Sequence, residues 1–185
     1  MIDQLHRQFM EENGYEVIFQ MPLSLTGVYK VYKDAKTRIM KCAVQTEKDF
    51  FTYNHVERES ETLLDLEGLE GITHRVDYHE KELNDHNGEL RIVGLVKEYV
   101  EGRKIEENEL ITNPNYKEAL INLAFELQNR GYYKLEFARK NIIIGLDDKP
   151  YFIDLGLAKK RILKLPKILQ FQSMYDKHQL FKLFG

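Results

Sequence analysis

Four residue types, set at telling intervals, could do chemistry in this chain. Asp154 closes the hydrophobic run "YFID" and stands two residues before Gly156, while Asn141 opens the apolar run "NIII". A short hairpin of these two runs brings a carboxylate and an amide oxygen to one end. That pair suits Mg²⁺, a cation that wants oxygen ligands and keeps water and substrate phosphate around it. Glu136 lies five residues before Asn141, in a loop, where a carboxylate can orient an attacking hydroxyl. Far upstream, Lys41 sits between Met40 and Cys42 in a strand-like run. A lysine is costly to bury there unless it meets an anion. Glu59, on the helical stretch that follows, is one candidate partner and Glu61 another. Together these residues sketch a phosphoryl-transfer site.

The elements that must hold them follow from periodicity. Ile2, Leu5, Phe9 and Met10 have helical spacing, stopped by Gly14. "YEVIFQM" reads as a strand, and "GVYKVYK" with "RIMKCAV" as a hairpin round "KDAKT". From Lys48 to Leu66 the pattern is helical, with Phe51, His55, Glu59, Thr62, Leu63 and Leu66 on one face. "THRVDYHEKEL" and "ELRIVGLVKEYV" read as two strands joined by "NDHNG" and ended by Gly102. "NPNYKEALINLAFELQNRG" is the clearest helix, with Asn115 as its expected cap and Leu120, Leu123, Ala124 and Leu127 on one face. Strands with one helix, then mostly helix with a small hairpin, predict an α+β fold of two lobes.

The bulk numbers narrow the function classes. The chain has 185 residues, 43% hydrophobic and 31% charged, which suits one compact unit or two small lobes sharing a cleft. A formal net charge of −3 argues against a molecule built to coat nucleic acid or an anionic membrane. The single cysteine, Cys42, rules out a disulfide framework and makes a reducing compartment, the cytoplasm, the default. Apolar runs fall short of the about 20 residues a membrane helix needs. The first residues, "MIDQLHRQFMEENGYE", do not read as a signal peptide.

The same stretches resemble the protein-kinase-like superfamily, near its small atypical bacterial and archaeal branches: the lipopolysaccharide-kinase, RIO and KEOPS-kinase-like proteins. The likeness runs from Thr26 to Gly156. "TGVYKVYK" resembles the second half of a glycine-rich loop and its strand, "IMK" the strand ending in the phosphate-binding Lys41, and "RESETLLDL" the helix whose Glu59 pairs with it. "LVKEYVEG" resembles the hinge, "KLEFARKN" the catalytic loop and "IDLGLAK" the metal-binding element. "MYDKHQLFKLF" loosely resembles the buried helix whose aspartate, here Asp176, braces the catalytic loop.

The resemblance implies a two-lobed kinase-like domain over residues 1–185, with a small β-rich N-lobe (1–100) and a reduced helical C-lobe (101–185). ATP and Mg²⁺ are the implied cofactors. Lys41 would hold the nucleotide phosphates, and Asn141 and Asp154 the metal. Glu136 would serve as base, the backbone of Glu98 and Val100 would hold the adenine, and Val28, Ile39 and Ile143 would sandwich it. The expected acceptor is a serine or threonine hydroxyl, a small molecule, or the protein itself. No element like the substrate-docking helices is expected after Asp154, so a small molecule, or a partner that brings its own docking surface or completes the reduced C-lobe, suits the site better than a free peptide.

The departures point elsewhere. Glu136 stands where the family has aspartate, Lys134 where it has histidine, and Lys97 where the position before the hinge is apolar. Lys97 could compete for Glu59 or touch a phosphate. "MPLSLTGVYKV" has only Gly27 to lie close on a phosphate. A pseudokinase, binding a nucleotide and acting through a partner, is therefore the main alternative. An ATPase tied to RNA or DNA through the basic run Lys159, Lys160, Arg161, Lys164 and Lys167 is a weaker one. Each site residue also has a plain reading. Asp154 and Asn141 would be turn residues, Lys41 a strand-edge lysine, Glu59 and Glu61 solvated helix charges, the basic run a solvated face, and Cys42 a small core residue.

Overall fold

The structure is a computed structural model and describes residues 2–21, 26–45, 50–85 and 88–160. The fold is α+β, with mostly antiparallel strands and a few helices. Two compact units divide the chain: Met1–Glu67 with His74–Tyr99, and Gly68–Thr73 with Val100–Gly185.

The first unit holds helix α1 (Ile2–Glu12), strands β1 (Glu16–Gln20), β2 (Gly27–Lys33) and β3 (Lys36–Gln45), helix α2 (Phe50–Asp65), and strands β4 (Arg75–Asp85) and β5 (Gly88–Glu98). The five strands form one antiparallel sheet in the order β1-β2-β3-β5-β4. Asp34 and Ala35 both have positive φ, 53° and 58°, between β2 and β3. A two-residue turn of this hand matches the twist of the strands it joins.

Because successive side chains on a strand point to opposite faces, each strand serves two neighbours. Met40, Cys42 and Val44 of β3 join Tyr29 and Val31 of β2, Ile92 and Val96 of β5, and Phe9 and Met10 of α1 in one buried cluster. The expected apolar stripe of α1 is displaced. Ile2 is exposed, and His6 is buried beside Phe9 and Met10. His6 Nδ1 lies 3.0 Å from the Tyr29 hydroxyl, which gives the imidazole a reason to be inside. On α2 the buried set includes Tyr53, Val56, Glu59, Thr62 and Leu63, continued by Leu66 just past its end, close to the expected face, with His55 half-buried.

The second unit holds β6 (Gly102–Lys104), α3 (Glu107–Thr112), α4 (Pro114–Asn129), β7 (Tyr132–Tyr133), β8 (Ile142–Gly145), β9 (Pro150–Phe152) and β10 (Lys159–Lys160). Strands β6, β8 and β9 form one small sheet, and β7 pairs with β10. Leu120, Leu123, Ala124 and Leu127 of α4 are buried, as their spacing predicts. The cap is Asn113 rather than Asn115, since the Asn113 side chain accepts from the N–H groups of Asn115 and Tyr116 and Pro114 occupies the first turn. Gly102 opens a strand instead of ending one. It faces Gly145, and a Cβ there would collide with the Ile144 carbonyl, so only glycine lets β6 approach β8. Asn141 closes a 3-10 turn, Arg139–Asn141, just before β8, so it stands beside the strand it was expected to open. Phe137 stacks on Phe152, with centroids 4.7 Å apart, tying the loop that carries Glu136 to the sheet beneath it.

Several expectations fall outside the described residues: the start of the α2 pattern at Lys48, residues 22–25 of the glycine-poor stretch, Arg161, Lys164 and Lys167, and the segment Met174 to Phe184 with Asp176.

Candidate functional site

In the first unit the candidate residues meet between the sheet and α2. Lys41 faces Val28 on β2 and Leu95 on β5. Its neighbours Met40 and Cys42 point to the opposite, apolar face, so alternation alone turns Lys41 towards α2. Lys41 Nζ donates to Glu59 Oε2 at 2.6 Å. The Glu59 side chain is only 2% exposed, whereas Glu61 is exposed, so Glu59 is the partner.

Lys97 completes the group. It lies opposite Ile39 in the β3–β5 ladder, one pleat along from the Lys41–Leu95 pair and on the same face. Its ammonium donates to Glu59 Oε1 at 2.5 Å. Of the two outcomes open to Lys97 in the sequence, sharing Glu59 is the observed one. Charges at this depth are tolerated only when paired and hydrogen-bonded.

Val28 and Ile39 are half-buried on that same face. Glu98 ends β5 and is exposed, and its N–H donates to the His74 carbonyl at 3.0 Å. That bond occupies the Glu98 N–H. Val100 belongs to the second unit and is half-buried.

In the second unit Glu136, Asn141 and Asp154 gather at one end of the β8–β9 hairpin. Asn141 is buried, and its side-chain NH₂ donates to the Glu136 carbonyl at 3.0 Å. That bond spends the amide's donor end and turns Oδ1, the end a cation uses, the other way. The Ile153 N–H donates to the Asn141 carbonyl at 2.9 Å, which holds the two loops side by side. Asp154 Oδ1 accepts from the Gly156 N–H at 3.0 Å. This is a turn-forming bond, so Asp154 shapes the local chain whatever else it holds. The half-buried Glu136 carboxylate meets Lys140 Nζ at 2.9 Å. Ile143 is half-buried on β8, opposite Tyr151.

An amide oxygen and a carboxylate, as on Asn141 and Asp154, are donor types that Mg²⁺ accepts. Among the described residues, no group of three or more His, Cys, Asp and Glu side chains could hold a metal by itself. Lys159 and Lys160 pair with Tyr133 and Tyr132 across β10 and β7 and are exposed, which both readings of the basic run require. Cys42 is fully buried, and burial pushes its thiol pKa up, so it behaves as a small core residue. No described helix is long and apolar enough to cross a membrane.

No family model matches the chain, and no curated protein matches it.

Proposed function

We propose that this chain is an ATP-dependent phosphotransferase of the protein-kinase-like fold, with residues 1–100 as a small β-rich N-lobe and 101–185 as a reduced helical C-lobe. One observation carries the reading: a half-buried lysine in mid-strand, Lys41, whose ammonium is held at 2.6 Å by a buried carboxylate of the next helix. Protein interiors bear such a pair at a cost, and a phosphate-binding lysine is a reason to bear it. In this reading Lys41 takes the nucleotide phosphates, Glu59 orients it, and Asn141 and Asp154 hold Mg²⁺. Val28, Ile39 and Ile143 line the base, and the Glu98 carbonyl and the Val100 N–H meet its edge. Glu136 positions the acceptor hydroxyl of a protein or small molecule. Positioning and charge neutralisation carry most of phosphoryl transfer, and Mg²⁺ supplies part of that neutralisation when bound.

The test is incubation of the purified protein with γ-labelled ATP and Mg²⁺, following label on the protein and release of phosphate. Lys41→Ala and Asp154→Ala should each abolish turnover, and unchanged turnover in either would overturn the reading. Glu136→Gln should lower turnover by about 10²–10⁴-fold, the usual worth of general-base assistance.

A second reading has its own observation. The Glu136 carboxylate, one methylene longer than an aspartate's, is tied to Lys140. A pseudokinase that binds nucleotide and acts through a partner would tolerate that. ATP and Mg²⁺ would then raise the melting temperature by mass action with no phosphate released.

A further inference from the structure

We infer that Lys97 is a positioning residue: it holds Glu59, and helix α2 with it, against the sheet independently of Lys41. Lys41 can then be given to an anion without releasing the helix.

The geometry is that of a two-point tether. The two lysines come from adjacent strands, on one face, at diagonal positions of the β3–β5 ladder. Each takes a different oxygen of the same carboxylate, Lys41 the Oε2 and Lys97 the Oε1. Their exposures differ in a way that assigns their roles. The Lys97 side chain is 3% exposed and the Lys41 side chain 12%. The more sealed ammonium suits a structural anchor, and the more open one can still meet a ligand. With Lys41 as the only tether, any anion drawing on that ammonium would compete with Glu59 for it. With Lys97 present, one carboxylate oxygen stays bonded throughout. In the phosphotransferase reading that anion is a nucleotide phosphate, and only this naming rests on it. The tether itself belongs to the first unit and can be measured without nucleotide.

Amide hydrogen exchange along residues 52–65 of the whole protein tests the idea, in the wild type, Lys41→Met, Lys97→Met and the double variant. Methionine keeps the stem of the lysine and removes its charge. In each single variant Glu59 keeps one partner, so exchange in α2 should rise by less than about threefold. In the double variant it loses both, and exchange should rise by about fiftyfold or more, well beyond the roughly ninefold ceiling on the product of the single effects. Equal factors for Lys97→Met in both backgrounds would mean that Lys97 only packs, and would overturn the inference. So would a double variant no worse than Lys41→Met alone. Should the double methionine variant fail to fold, Lys41→Met with Lys97→Arg takes its place. The retained charge should keep α2 protected, and lost protection there would also overturn the tether. A melting temperature that ATP and Mg²⁺ leave unmoved in the wild type would count against the phosphotransferase reading alone and leave the exchange result standing.

Discussion

The two faces of the five-stranded sheet use the same strands for opposite ends. One face buries Met40, Cys42, Val44, Ile92 and Val96 under Phe9 and Met10 of α1. The other, one residue out of phase, places Lys41 and Lys97 on Glu59 of α2. The first is held by area removed from water, which is non-directional and tolerates small errors of placement. The second also buries Ala43, Val93 and Leu95, but adds to them three charges that cost free energy to bury and repay it only in one geometry. A protein under no demand beyond stability has little use for such a charge cluster, and the phosphotransferase reading proposed above gives it one.

Removing the shared carboxylate should break this contrast most severely. Glu59→Ala leaves two ammoniums together in a buried site, and a loss of about 3–5 kcal/mol is expected from urea midpoints. Converting all three residues to apolar ones, Lys41→Met with Glu59→Leu and Lys97→Met, should instead hold stability level or raise it. A triple variant as unstable as Glu59→Ala would mean that the charged face carries more of the fold than argued here.

A smaller loss is expected on the apolar face. A Cβ on Gly94 would press into the Met40 methyl and lie 2.7 Å from the Phe9 ring. Gly94→Ala should cost about 1–3 kcal/mol by overpacking and, in the phosphotransferase reading proposed above, leave ATP affinity unchanged. A loss of ATP affinity with stability kept would show that the two faces are not independent.

The smallest effect concerns pH and sharpens the account of the α1 side. Burial lowers the pKa of His6 below its ordinary value, with nearby Asp3 pulling the other way. The folded form therefore binds a proton less readily than the unfolded chain. Stability from this group is present above the ordinary histidine pKa and is lost as pH falls below it. His79, which meets Phe9 edge-on, is also lowered by burial and adds in the same direction. The melting temperature should fall as pH drops from neutral towards 5, and less steeply in His6→Asn. An equal slope in both proteins would remove His6 from the account.

Much of this arrangement is legible in one dimension. A lysine between Met40 and Cys42, in a run that alternates, has to face away from the grease on either side. A glutamate placed among the apolar positions of the next helix has to face the same way. The β8–β9 hairpin can be read because "NIII" and "YFID" are short apolar runs joined by turn residues. Other features are not legible, for physical reasons. The interior place of His6 depends on the Tyr29 hydroxyl 23 residues away. Gly102 reads as a stop, yet it is a strand residue because the Ile144 carbonyl comes so close. Asn115 and Asn113 are equally good caps by type, and Pro114 between them starts the helix so that Asn113 is the one outside it.

By itself, the sequence determined which way side chains face along each strand and helix, since that follows from backbone period alone. From it came the α+β class and the direction of Lys41. Only the tertiary structure decided which charges meet. Glu59 takes Lys41 and Lys97 together because β3 and β5 lie side by side in one register, and register is set by the packing of the whole sheet.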